Sequence, residues 1–186
     1  MKKLISTEYR LQNALMHDDP TFSISKDINF DTILDLAGKF GAKTILDYGC
    51  GKGLFKQAMA AKAPQFKVYE YDPAIDGKKV CRDHADMIVC NDVMEHIEPQ
   101  LLDNVLQHIA EVARKCALFT IAHTAAKRIM PDGRNAHLIQ EPFAWWQAQL
   151  LKHFSHVQEL GSYAVTTPGP LQGTRFKTVV LASHGK

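Results

Sequence analysis

Thr44-Ile45-Leu46-Asp47-Tyr48-Gly49-Cys50-Gly51-Lys52-Gly53-Leu54-Phe55 is the stretch whose reading decides the fold. It begins with apolar residues of strand type, passes three glycines at alternate positions, and opens a run of helical periodicity through Leu54, Phe55, Ala58 and Met59. That order is a strand, a tight turn and a helix. Glycine suits such a turn because the chain needs backbone angles that side chains resist, and because a bare backbone lets a ligand approach. The N–H groups of the first helical turn then face whatever sits above the strand.

The spacing narrows the ligand. A phosphate-binding P-loop requires Gly-Lys-Ser/Thr after four intervening residues, which is absent, and a G-x-G-x-x-G dinucleotide fingerprint would need glycine where Leu54 stands. A nicotinamide-dependent oxidoreductase is therefore disfavoured. The pattern left, Asp47-Tyr48-Gly49-Cys50-Gly51-Lys52-Gly53, resembles the first motif of the class I S-adenosylmethionine-dependent methyltransferases. The resemblance implies that Gly49, Gly51 and Gly53 hold the methionine part of the cofactor, with Asp47 binding it directly or through water.

Working outward, Phe66 to Pro73 reads as a second strand after Pro64 ends the helix. An acidic residue at such a strand end, about twenty positions after the glycines, is where nucleotide-binding α/β folds place a carboxylate on the ribose hydroxyls. Asp72 fits, and Glu70 is the near competitor. On this reading Asp72→Ala weakens cofactor binding far more than it lowers the melting temperature. The family then has a helix and a third strand, yet only Ala74 to Ala85 precedes the next apolar run, Asp86 to Asn91. The third strand should be vestigial or missing, and Asp83 and Asp86 are the open choices for an adenine-side acid.

Asp86-Met87-Ile88-Val89-Cys90-Asn91 is nearly continuous in apolar character, as expected of a strand covered on both faces. It delivers Asn91-Asp92-Val93-Met94-Glu95-His96, which resembles the family segment where a polar pair, here Asn91 and Asp92, lies beside the transferable methyl and a Glu-His pair follows. Asp92-x-x-Glu95-His96 with a distant His137 also resembles the metal-binding arrangement of the small-RNA 3′-terminal 2′-O-methyltransferases. A Glu-His pair here occurs in metal-free small-molecule methyltransferases too, so no metal is assigned. His137, in a polar loop, is the first candidate for acceptor contact or general base, followed by His96 and His123.

The remaining periodicities give a helix over Phe30 to Phe40 with Asn29 or Asp31 as cap and Gly41 as stop, and a helix over Pro99 to Lys115. A strand over Ala117 to Ala122, a helix over Pro142 to Phe154, and strands over Val157 to Tyr163 and Phe176 to Ser183, joined at Pro168-Gly169-Pro170, complete the pattern. The expected fold class is α/β: a Rossmann-like, mostly parallel sheet with helices on both faces, an antiparallel C-terminal strand pair and a shortened third-strand region. Polar segments after four strands should meet at one sheet edge, the edge where such folds bind ligands.

At 186 residues with 46% hydrophobic composition the chain is expected to form a single domain over 1–186, with 1–28 as an N-terminal segment that caps or lids the site. No apolar stretch suits a signal peptide or membrane span, and Cys50, Cys81, Cys90 and Cys116 show no C-x-x-C spacing, so a cytoplasmic protein with reduced thiols is expected. A net charge of +2 is nearly balanced, and the basic clusters (Lys78-Lys79, Lys127-Arg128 with Arg134, Arg175 with Lys177) are short. A small-molecule acceptor is preferred to nucleic acid. A metal-assisted RNA 2′-O-methyltransferase and a non-catalytic S-adenosylmethionine-binding module remain the alternatives.

Overall fold

Neighbouring residues on the central strands divide between two cores. Leu46, Ile88, Cys90 and Phe119 pack in one apolar cluster, and Ile45, Met87, Val89 and Leu118 in the other. Strand alternation with both sets buried is what a sheet covered on two faces demands. The computed structural model describes residues 2–23, 28–167 and 173–184, with backbone alone at 166–167 and 173–175. The Pro168-Gly169-Pro170 loop, Asp27 and the Arg175 side chain lie outside the described residues.

The elements are α1 (Thr7–His17), α2 (Phe30–Lys39), β1 (Thr44–Tyr48), α3 (Leu54–Lys62), β2 (Lys67–Tyr71), β3 (Ala85–Asn91), α4 (Leu102–Val112), β4 (Ala113–Ala122), α5 (Phe143–Leu150), β5 (His156–Thr167) and β6 (Gly173–Ser183). They build a six-stranded sheet in the order β2-β1-β3-β4-β6-β5, parallel from β2 to β4 and antiparallel for the last pair. This is the Rossmann-like class expected. Residues 72–84 form turns and no strand, with Asp72 N–H bonded to Lys78 O, so β2 is the sheet edge and the third strand is missing.

The Asn29 side chain caps α2 by accepting from Thr32 N, and Gly41, at φ +58°, follows the C-cap Phe40. The inward face carries Ile33, Leu36 and Ala37, with Phe30, Leu34 and Phe40 packed more openly against the same core. The helix expected over Pro99 to Lys115 begins as a 3₁₀ turn at Pro99–Leu101 and stops at Val112. Its last expected turn is strand instead, because Ala113 pairs with Ala85 and Cys116 with Met87, both buried, and that ladder outweighs helical periodicity. Likewise α5 ends at Leu150, while Phe154 still buries itself in the following turn.

The N-terminal segment is fixed from a distance. Ser6 N–H donates to Glu98 Oε2 at 2.7 Å, the Tyr9 hydroxyl donates to His96 O, and Lys52 Nζ donates to Asp19 O. Arg128 adds an ion pair to Asp19 at 2.6 Å and a bond to Thr21 Oγ1. α1 is thereby held across the carboxyl edge of the sheet. No helix among the described residues is long and apolar enough to cross a membrane.

Candidate active site

A cavity of about 440 Å³ opens at the carboxyl ends of β1, β2, β3 and β4, beneath α1 and residues 21–23. Parallel register brings Tyr48 beside Tyr71 and Asn91 beside Thr120, so the loops that follow these strands leave at one level. All four polar segments reach that edge. Two of them supply a floor for a nucleotide-sized ligand: Asp47 to Cys50 with Leu54 and Phe55 after β1, and Asp72 to Ala74 after β2.

Two glycines explain the shape of the turn. A Cβ on Gly49, at φ +77°, would lie 2.5 Å from Val93 Cγ2, and one on Gly51, at φ +49°, would lie 1.8 Å from Ser23 Oγ. The missing side chains thus make room for other parts of this protein, the loop after β3 and the N-terminal segment. Gly51 and Gly53 are absent from the cavity lining; they shape the turn, while Gly49 and Asp47 line it. Lys78 Nζ supports the turn from beneath, donating to Gly51 O and to Glu70 Oε1, both at 2.9 Å. Glu70 is therefore engaged by Lys78 and Lys56 and leaves the floor to Asp72.

Asp72 is buried and doubly braced: Oδ2 accepts from Gly51 N at 3.1 Å and Oδ1 from Ala74 N at 2.9 Å. A carboxylate has about four acceptor positions, so each oxygen keeps one for a ligand hydroxyl. Asp47 behaves differently. Burial first, then the nearby Glu70 and Asp72 carboxylates, push it up to about 8 against the pull of Lys78.

The far end of the cavity is built by Asn91, Asp92, Glu95, His96, His137 and Lys177. Asp92 takes φ +55° at the end of β3, and its Oδ2 accepts from Lys177 Nζ at 2.7 Å. Lys177 is only 4% exposed, so its charge is matched inside the protein. Glu95 Oε1 accepts from Ala122 N at 3.2 Å, while Oε2 is buried with no hydrogen-bond partner. Burial, then Asp92, pushes Glu95 well above the carboxylate range. The His96 and His137 rings meet edge to face with centroids 4.8 Å apart, and burial followed by His137 lowers His96 to about 4. His96 Nδ1 bonds Ala136 O at 2.7 Å and His137 Nδ1 bonds Thr124 O.

Of the residues expected from sequence, Asp47, Gly49, Asp72, Asn91, Asp92, His96 and His137 meet in one cavity. His123 does not line it; its Nδ1 bonds Glu141 O at 2.8 Å and its Nε2 bonds Thr178 Oγ1 at 2.7 Å. Asp83 and Asp86 are also elsewhere, and Asp86 accepts from Lys43 N, Thr44 N and Thr44 Oγ1 under β1. Lys177 and the α1 residues Tyr9, Asn13 and His17 were not anticipated as cavity residues. A lysine inside the apolar run Phe176 to Ser183 was the available signal for the first.

This geometry agrees with the comparisons. A family model for methyltransferase domains matches residues 24–163, and the chain belongs to that family, the class I S-adenosylmethionine-dependent methyltransferases. In structure it is similar to the Burkholderia thailandensis 1,6-didemethyltoxoflavin-N1-methyltransferase, crystallised with 1,6-didemethyltoxoflavin and S-adenosylhomocysteine. That likeness has a TM-score of 0.65 and 15% identity, over 100% of this chain and 94% of that one. It is also similar to magnesium protoporphyrin IX methyltransferase (ChlM) of Synechocystis PCC 6803 with bound S-adenosylhomocysteine (TM-score 0.60, 13% identity, 100% and 90% covered). A third likeness is to the N-methyltransferase NodS of Bradyrhizobium japonicum WM9 (TM-score 0.60, 12% identity, 94% and 98% covered). No curated protein matches the sequence.

Proposed function

We propose that this chain transfers the methyl group of S-adenosylmethionine to a small-molecule acceptor held at the His96, His137 and Lys177 end of the cavity. The observation that carries this reading is one cavity of about 440 Å³ in which the Asp72 floor and the two imidazoles share a volume beneath α1. With α1 held across that edge, a compact acceptor fits the volume better than a polymer strand does. Three basic side chains nearby are paired with carboxylates: Arg128 with Asp19, Arg134 with Asp132, Lys177 with Asp92. These pairings offset part of the charge a phosphate backbone would meet.

The residues fit the cofactor. Two acceptor positions remain on Asp72 for the ribose hydroxyls, the turn at Gly49 is bare towards the cavity, and Asp47 can answer a positive group. S-adenosylmethionine supplies a methyl on a sulfonium whose leaving thioether is neutral, so no oxyanion hole is needed. What the protein contributes is placement: holding reactants in line and dry can supply several of the roughly 7–11 kcal/mol available from positioning. Asn91 and Asp92 sit where the family's polar pair lies. His137, with His96 beside it, faces the acceptor and takes its proton where the nucleophile carries one at neutral pH. The N-terminal segment is read as the cap of a single domain, since Tyr9, His17 and Ser23 among its described residues line the cavity.

The test is turnover of labelled S-adenosylmethionine across panels of small heteroaromatic, phenolic and amine acceptors and of RNA oligonucleotides, with S-adenosylhomocysteine calorimetry alongside. Micromolar binding with transfer to a small acceptor is expected. Transfer to RNA alone would overturn the acceptor class, and binding without transfer to anything would make the chain a cofactor-binding module.

A further inference from the structure

Glu95, His96 and His137 each offer a ligand atom, and these atoms lie within 4.8 Å of one another at the acceptor end of the cavity. The two imidazoles are set in one tautomer. A carbonyl oxygen only accepts, so the bonds to Ala136 O and Thr124 O place the proton on Nδ1 of each ring and make Nε2 the lone-pair nitrogen. An Nδ1–H tied to a backbone carbonyl is the outer-shell arrangement that orients histidines on a metal. Glu95 is fixed through Oε1 by Ala122 N–H, and its other oxygen is fully buried without a partner. A buried carboxyl oxygen without a hydrogen-bond partner is costly unless something electropositive sits beside it.

We infer that Glu95, His96 and His137 bind one divalent first-row transition cation, Zn²⁺ or a relative with the same taste for imidazole. The Lys177 ammonium nearby does not oppose this, since Asp92 neutralises it at 2.7 Å, and Glu95 yields its proton to solvent as the cation takes its oxygen. Two nitrogens and one carboxylate select such ions over Mg²⁺ or Ca²⁺, which prefer oxygen shells. Three protein ligands leave positions for solvent or an acceptor atom on the cavity side. The inference deepens the proposed function and rests on its placing of the acceptor: the imidazoles serve the acceptor through the cation, which polarises a bound oxygen or nitrogen, in place of taking its proton themselves.

The experiment uses the full chain stripped with EDTA and titrated with Zn²⁺ and with Co²⁺ alone, without cofactor or acceptor. One equivalent should bind, Co²⁺ should give visible ligand-field bands of nitrogen and oxygen ligation, and excess Mg²⁺ should not displace either. His96→Ala and His137→Ala should each weaken binding by at least the about 10–100-fold that loss of an outer-shell partner costs, while His153→Ala should not, since His153 bonds Asp103 outside the cavity. X-ray absorption at the zinc edge of the wild-type chain should show two imidazoles, a result independent of whether the variants fold. No binding beyond that of surface histidines, sulfur or oxygen-only ligation, or variants equal to wild type would overturn the site. Failure there with S-adenosylhomocysteine binding and methyl transfer intact leaves the proposed function standing, and the reverse holds if the cation binds and the nucleotide does not.

Discussion

Asp72→Ala removes a carboxylate that serves both the protein and, on the proposed reading, the ligand. In the folded chain it accepts from Gly51 N at 3.1 Å and Ala74 N at 2.9 Å, and both residues are buried. An orphaned buried donor costs about 1–3 kcal/mol. Water entering the adjoining cavity will satisfy part of that, so a loss near the low end, about 2 kcal/mol for the two, is expected. At about 2–4 °C per kcal/mol for a domain of this size, the melting temperature should fall by about 4–8 °C. To the expectation from sequence, that Asp72→Ala weakens cofactor binding far more than it lowers the melting temperature, the two backbone bonds add a definite stability cost. The binding effect is larger still. Two remaining acceptor positions, each making a charged hydrogen bond of about 1.5–3 kcal/mol, put the loss at about 3–6 kcal/mol, or about 10²–10⁴-fold in Kd. Calorimetry with S-adenosylhomocysteine, run at a temperature where both proteins are folded by circular dichroism, measures it. Affinity within about three-fold of wild type would refute the argument, because no arrangement that grips ribose through Asp72 tolerates its removal.

The other predictions concern the neighbours of that carboxylate. Asp47 has its folded pKa raised from 3.8 to about 8, so the native state loses stability as pH rises through that window. Asp47→Asn should therefore raise the melting temperature of the ligand-free protein, with the gain growing from about pH 5 to about pH 8; a difference that stays flat with pH contradicts the assignment. Gly49→Ala places a Cβ 2.5 Å from Val93 Cγ2 at φ +77° and should cost about 1–3 kcal/mol. Adding Val93→Ala should recover the packing part while the backbone part remains, which thermal denaturation of single and double variants can separate. Lys177→Met leaves Asp92 without its cation at 2.7 Å and should destabilise by about 3 kcal/mol, the low end for a broken buried pair because Asp92 is partly exposed. Lys177→Met with Asp92→Asn should regain most of it, and a double variant no better than the single would show that the ion pair is not the cause.

How much of this was legible in the sequence depends on how far apart in the chain the cause lies. Strand β1, the glycine turn and α3 are written in consecutive residues, as are the apolar runs of β3 and β4, because side-chain period and backbone angle are local properties. The end of α4 was misplaced by local reasoning because Ala113 answers to Ala85, a strand partner that helical periodicity does not register. The roof of the cavity is less legible again. α1 has a weak apolar stripe, and what seats it is Ser6 on Glu98, Tyr9 on His96 O and Asp19 on Lys52 and Arg128, contacts between residues 33 to 109 positions apart.

The acceptor end shows the same rule at its sharpest. Asp92, Glu95 and His96 form a recognisable local pattern, yet the structure sends Asp92 to Lys177 and leaves Glu95 and His96 to meet His137. That meeting is imposed by the backbone: Ile139 N–H donates to Glu95 O at 3.0 Å and Ala136 O accepts from the His96 ring, fastening the loop after β4 onto the turn after β3. The helical spacing that suggested Asp92 as a ligand does not apply there, because Asp92 lies before the 3₁₀ turn Met94–His96 and carries a left-handed backbone. Asp92 instead turns its Oδ2 to Lys177, while its charge still reaches Glu95. The lysine that claims it arrives from β6, a strand in which a charge is tolerable only because a carboxylate waits beneath it.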